Sequence, residues 1–240
     1  GGRPRAGALG RPSCQTLERM NLPADFKVDA GILELEAKVG VRENFFKDLV
    51  AEDDWSFVIK LHALFEAACT HLLLFHFKEP ELTDIFSRLE LSNKATGKIA
   101  FLGKLELLGK ENRRLVAALS EMRNSLVHDV RNAEFSLERM VAGLDATALK
   151  QFALAFSPYE AHIRKFPLSA DPKARLGYDE KLQKAASVEE MMKRAKRSPK
   201  HHIWLGAYNV LVSIVDMYGY SDYKQWVKAK AVFEEDDDAL

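Results

Sequence analysis

From Asp29 onward the apolar positions of this chain recur at intervals of three and four, the signature of helices that bury one face. Residues 30–50 carry Ile32, Leu35, Val39, Phe46 and Leu49 on roughly one apolar face. Asp53-Asp54 offers a helix start, and residues 55–77 predict a long second helix. It is apolar almost all round, with Phe57, Val58, Leu61, Leu64, Phe65, Leu72 and Leu73, which belongs at the centre of a bundle. Residues 81–90 suit a short helix after Pro80. Ser92 is placed to cap another that runs to about Leu108 and ends at Gly109. Residues 112–128 follow, with Leu115, Leu119, Met122 and Leu126 as a core stripe.

Asn132 can cap a further helix, and Asp145 another through Phe156. Residues 166–180 contain Pro167, Pro172 and Gly177 and read as a loop. Two more helices are expected over 187–197 and 201–218, with Gly219 ending the last. The expected class is therefore all-α, a helical bundle with additional C-terminal helices. The partition is a disordered leader (1–25), the bundle (26–165), a loop (166–180), C-terminal helices packing on the bundle (181–230) and an acidic mobile tail (231–240).

Composition narrows the function classes. The chain has 240 residues, enough for a sizeable core, and 47% of them are hydrophobic. Its 35 basic and 35 acidic side chains cancel, so any nucleic-acid contact must come from a local patch. Cys14 and Cys69 are the two cysteines, and Cys69 lies inside an apolar helix, which fits a reducing cytoplasm better than a disulfide framework. The first nineteen residues, rich in Gly, Pro and Arg, lack the apolar run of a signal peptide, and Met20 is expected as the natural start. The stretch around Leu72–Phe77 is broken by His71, His76 and Lys78 and is too short to span a bilayer.

The chemistry-bearing segment is Arg123-Asn124-Ser125-Leu126-Val127-His128-Asp129, late in the 112–128 helix. A permanently charged phosphate ligand thus lies near a group that titrates close to neutrality. RNA cleavage without a metal uses the ribose 2′-hydroxyl as nucleophile. A histidine takes or returns the proton, and an arginine fork stabilises the charge on the phosphate. Asparagine can orient either one. The helix C-terminus favours a protonated histidine, and the arginine opposes it. On a helical wheel Asn124 and His128 share a face turned away from the core stripe, while Arg123 and His128 diverge by about 140°. One helix therefore does not close the site, and a two-fold dimer would supply the missing half. Spacing alone carries little weight, because Arg197 and His202 repeat it across Pro199.

The Arg123-Asn124-x3-His128 segment, after a long apolar helix, resembles the HEPN superfamily, whose hallmark is an arginine followed by a polar residue, often asparagine, and then a histidine. The resemblance covers roughly residues 30–145. It implies an all-α bundle that dimerises through its motif helices, and a metal-independent endoribonuclease activity of the toxin or antiphage kind. Some members have lost that activity. In those terms Arg123 binds the scissile phosphate, Asn124 orients and His128 is the general acid/base, with RNA as substrate and a cognate antitoxin or regulatory protein as partner. Residues 55–129 are also similar to the mannitol operon repressor family, which implies a non-catalytic transcriptional regulator instead.

Other features are secondary. His62, Glu66 and Thr70 form a polar line on the long apolar helix. Glu66 is placed to pair with Arg123 in support of the site, although a purely structural hydrogen-bond network is the simpler explanation of the line. His71 and His76 do not share a face, so no metal site is expected. The basic run with Lys193, Arg194, Lys196, Arg197 and Lys200 is a weak candidate for phosphate contact. Aromatics from Trp204 to Trp226 suit core or interface packing. No phosphate loop, dinucleotide fingerprint or Cys-x-x-Cys pair is present, and no cofactor is expected.

Overall fold

The computed structural model describes residues 28–128, 134–158 and 187–237. Among them the regular structure is helical throughout, and the chain is an all-α bundle. The leader, Asn132 and the 166–180 loop lie outside the described residues.

Asp29 caps α1 (Ala30–Lys38), its carboxylate accepting the Gly31 N–H at 2.8 Å. The apolar face of residues 30–50 is split, because Gly40 takes φ +77° and the chain turns before α2 (Phe45–Asp48). A left-handed residue of this kind ends a helix at little cost when it is glycine. Buried Glu36 then accepts the Phe46 N–H at 2.8 Å and fixes the new direction.

Asp53 caps α3 (Asp54–Phe77), the central helix. By length and composition alone α3 could cross a membrane, but more than half of its apolar window is buried inside the bundle, as in a core helix. Its fully buried Phe57, Leu61, Phe65 and Leu72 face other helices of the bundle. Around it pack α4 (Thr83–Arg88), α5 (Lys98–Lys104), α6 (Lys110–Val127) and α10 (Pro199–Asp237). The Ser92-to-Leu108 helix is shortened to α5. The Asn93 carboxamide accepts the N–H groups of Ala95 and Thr96 and turns the chain, and Glu106 at φ +61° closes the other end. Gly109 consequently begins α6 rather than ending the previous helix.

Ser136, Asp145 and Ser187 cap α7 (Leu137–Ala142), α8 (Ala146–Ala155) and α9 (Val188–Arg197). The C-terminal helices share the core with the rest of the chain. Trp204 is fully buried, stacks on Phe46 at 4.8 Å and donates to the Phe46 carbonyl at 3.0 Å. At Gly206, α10 approaches so closely that a Cβ would lie 2.2 Å from the Phe156 carbonyl oxygen. Gly219 does not end the helix: α10 continues through Asp237 and takes in most of the expected acidic tail. A single interior glycine costs only about 1 kcal/mol. Contacts beyond it hold the helix, with Ser221 Oγ 2.7 Å from His76 Nδ1 and Gln225 donating to the His76 carbonyl.

Two links set the position of the motif. Lys224 Nζ reaches Glu106 at 2.9 Å, just before α6 begins, so α6 starts beside the C-terminal end of α3. α6 therefore runs back along α3, and its motif turn lies beside the first half of α3. At that same end Asp54 joins three helix starts. Its Oδ2 accepts the Leu137 N–H at 2.8 Å and its Oδ1 lies 2.7 Å from Lys200 Nζ.

Candidate functional site

The last turn of α6 carries the motif. Arg123 is half-buried, and its guanidinium donates to Asn124 Oδ1 at 3.1 Å. Asn124 is exposed. His128 caps the helix C-terminus and is also exposed. This placement follows from the stripe: Leu115, Leu119 and Leu126 are buried with Val116 and Ser120 beside them, and Asn124 and His128 fall on the opposite, exposed side. Within one chain the structure joins Arg123 to Asn124 and makes no hydrogen bond between either of them and His128 among the described residues.

Behind Arg123, in the crease between α3 and α6, lies a polar cluster. His62 Nε2 is 3.2 Å from Ser120 Oγ, and Ser120 Oγ donates its single proton to the Val116 carbonyl at 3.0 Å. The imidazole must then be the donor in the first bond, so the pair is a helix-to-helix tie and not a nucleophile facing its base. Burial pushes the His62 pKa down. The charges of Arg123 and Lys98 push it the same way, against the pull of Glu66. His62 is thus neutral near pH 7 and close enough to Arg123 to feel its charge.

The expected Glu66–Arg123 pair does not form. Glu66 Oε1 lies 3.0 Å from Lys98 Nζ instead. Lys98 enters the core from the start of α5 and is fully buried, so it requires a counter-charge, whereas Arg123 is already held by Asn124 at a wetter position. Thr70 completes the polar line by donating back to the Glu66 carbonyl at 2.8 Å. Sequence reasoning missed Lys98 and Ser120. The available signals were a lysine directly after a glycine at the head of the apolar run Ile99–Leu102, and a serine four positions after Val116 beside the core stripe.

The remaining polar residues sort cleanly. His71 Nδ1 lies 2.8 Å from the Tyr218 hydroxyl, and this bond and the His76–Ser221 bond tie α3 to α10. In the basic run, Lys193 Nζ is 3.0 Å from both Glu189 and Glu190, and Lys200 is bound to Asp54 and to the Glu52 carbonyl. Lys200 is therefore a strut. Arg194 is half-buried, while Lys196 and Arg197 are exposed in the last turn of α9. His202 is buried against the Ala153 carbonyl at 3.0 Å, and burial pushes its pKa down to about 4. The Arg197–His202 repeat of the motif spacing is thereby split between surface and core. No family model, curated protein or solved structure matches the chain.

Proposed function

We propose that the protein is a metal-independent endoribonuclease of the HEPN kind, working as a homodimer in the cytoplasm. Arg123 and Asn124 of one copy and His128 of the other close each site. The observation that carries this reading is the end of α6: a half-buried guanidinium braced by Asn124, one turn before an exposed histidine. The Asn124 bond holds the arginine fork, so less rotamer entropy is lost when a phosphate binds. His128 is solvated and able to exchange protons with a 2′-hydroxyl or a leaving oxygen. Lys196 and Arg197 stand at the end of the bundle that Asp54 and Lys200 organise, where they can attract the rest of an RNA strand. A cognate antitoxin or regulatory protein is the expected partner of such an enzyme.

The test is RNA incubated with purified protein in EDTA. Cleavage leaving 2′,3′-cyclic phosphate ends, lost in His128→Ala with retained fold, supports the reading. Intact RNA with specific duplex binding unaffected by His128→Ala identifies a non-catalytic regulator instead.

A further inference from the structure

Although α3 is the central helix, one of its faces is open and floors a groove of about 420 Å³, a volume in the range of small-molecule sites. Ala63, Glu66, Ala67, Thr70 and Leu74 follow one another along it at intervals of three and four, so they share one face of the helix. With Val39 they make the wall largely apolar. Two charged side chains also line the groove, and they differ in what they leave open. The Lys98 ammonium is fully buried, 3.0 Å from Glu66 Oε1 and 3.4 Å from the Ser87 carbonyl. Glu66 is only half-buried, and its Oε2 has no hydrogen bond among the described residues. The pair therefore turns its negative end toward the groove. One carboxylate oxygen is pinned by a buried cation while the other keeps its acceptor sites, so the anchor is held in place before a ligand arrives. The other cations nearby are spent. Lys38 is 2.8 Å from Glu34, and burial and the Lys38 charge push the His71 pKa down, leaving that imidazole neutral near pH 7.

We infer that this groove binds a small organic cation, its ammonium or amidinium head on Glu66 Oε2 and its apolar body lying over Ala67 toward Leu74. Charge complementarity selects the head. An anion entering the groove meets the Glu66 carboxylate before it meets the buried Lys98. A metal ion needs several oxygen or nitrogen ligands, and the described residues contain no cluster of three such side chains. The row on α3 sets the length of the body: from Glu66 to Leu74 the helix rises about 12 Å, the reach of a charged head carrying an aryl or alkyl chain. Burying that chain against Ala67 and Leu74 supplies the apolar part of the affinity, and the fixed carboxylate supplies the orientation. The inference is independent of the nuclease reading and needs no second copy of the chain.

The experiment titrates the full chain, labelled at alanine and leucine methyls, with phenylbutylammonium, phenylbutanol and phenylbutyrate, which share one apolar body and differ in the charge of the head. Phenylbutylammonium is expected to shift the Ala63, Ala67 and Leu74 methyl resonances saturably. It should bind at least about tenfold more tightly than the alcohol, the factor a hydrogen bond to a charged group supplies, with phenylbutyrate the weakest. Glu66→Gln keeps the shape of the side chain and an acceptor for Lys98, and is expected to abolish the preference for the ammonium over the alcohol. Ala67→Leu leaves the Glu66–Lys98 pair untouched and fills the groove, and is expected to abolish the shifts with all three probes. Circular dichroism checks both folds, and Ala67→Leu carries the test where Glu66→Gln does not fold. Absence of saturable shifts at these methyls, equal affinity for the three probes, or an Ala67→Leu variant that binds as wild type overturns the inference. An arginine-rich peptide that shifts these methyls where phenylbutylammonium does not also overturns it, and marks a protein-docking face instead.

Discussion

Glu66 Oε1 lies 3.0 Å from Lys98 Nζ, and the two are unequally covered: the lysine side chain is 1% exposed and the glutamate side chain 42%. Removing either partner therefore has different consequences. Glu66→Ala strands an ammonium in the core and is expected to cost about 3 kcal/mol. Lys98→Met leaves a carboxylate that water can reach and is expected to cost under about 1.5 kcal/mol. Urea denaturation of the two variants checks the order. Equal losses would mean that the Lys98 ammonium is not held chiefly by Glu66.

Lys200 and its neighbours in the basic run are expected to separate by role. Lys200→Met removes the strut to Asp54 and the Glu52 carbonyl and should lower stability by about 1–2 kcal/mol, with little change in the salt dependence of RNA binding. Lys196→Ala and Arg197→Ala should leave stability within about 0.5 kcal/mol. Each should reduce the slope of log affinity against log salt by roughly one where the side chain meets a phosphate. Thermal melts and binding titrations at several salt concentrations distinguish the two groups.

Acid sensitivity follows from the buried histidines. The His202 pKa falls from the ordinary 6.5 to about 4 because burial disfavours its charge, and burial also lowers His62, His71 and His201. Below pH 6.5 the unfolded chain binds protons that the folded chain refuses. Stability is thus full above about 6.5 and falls as the pH drops toward 4, with His202 alone contributing on the order of 3 kcal/mol. His202→Gln is expected to flatten the stability–pH curve across that window, measured as urea midpoints. An unchanged slope would contradict the assignment.

Two glycines of α10 should respond with opposite signs. Gly206→Ala drives a methyl into the Phe156 carbonyl and is expected to destabilise by 2 kcal/mol or more, on the order of an overpacked core site. Gly219→Ala meets nothing within 4 Å and should stabilise by about 0.5–1 kcal/mol through helix propensity. Melting temperatures of the pair test whether α10 continues through Gly219 as one helix.

Helix starts were legible at Asp53 and Asp145, which cap as their positions suggest. Ser136, which caps α7, was not read from the sequence, and Ser92 caps no helix because the chain turns at Asn93 before α5 starts at Lys98. Boundaries without such a signal were not legible. Gly109 and Gly219 look alike as helix stops, yet one opens α6 and the other sits inside α10, because tertiary contacts and not propensity decide at a glycine. At the site, the outward turn of Asn124 and His128 could be read from the stripe of Leu115, Leu119 and Leu126. The partner of Glu66 could not. Lys98 lies on a different helix, and the choice between it and Arg123 depends on which cation is the drier.

The account's central claim is that Arg123 of one chain and His128 of another share a site. The most direct measurement mixes two inactive variants, Arg123→Ala and His128→Ala, after dissociation and reassociation. RNA cleavage in EDTA is then compared with either variant alone. A composite site predicts recovery of roughly a quarter of wild-type activity, since about half the dimers are mixed and each carries one intact site. A mixture as inactive as its components, beside an active wild type, would contradict it.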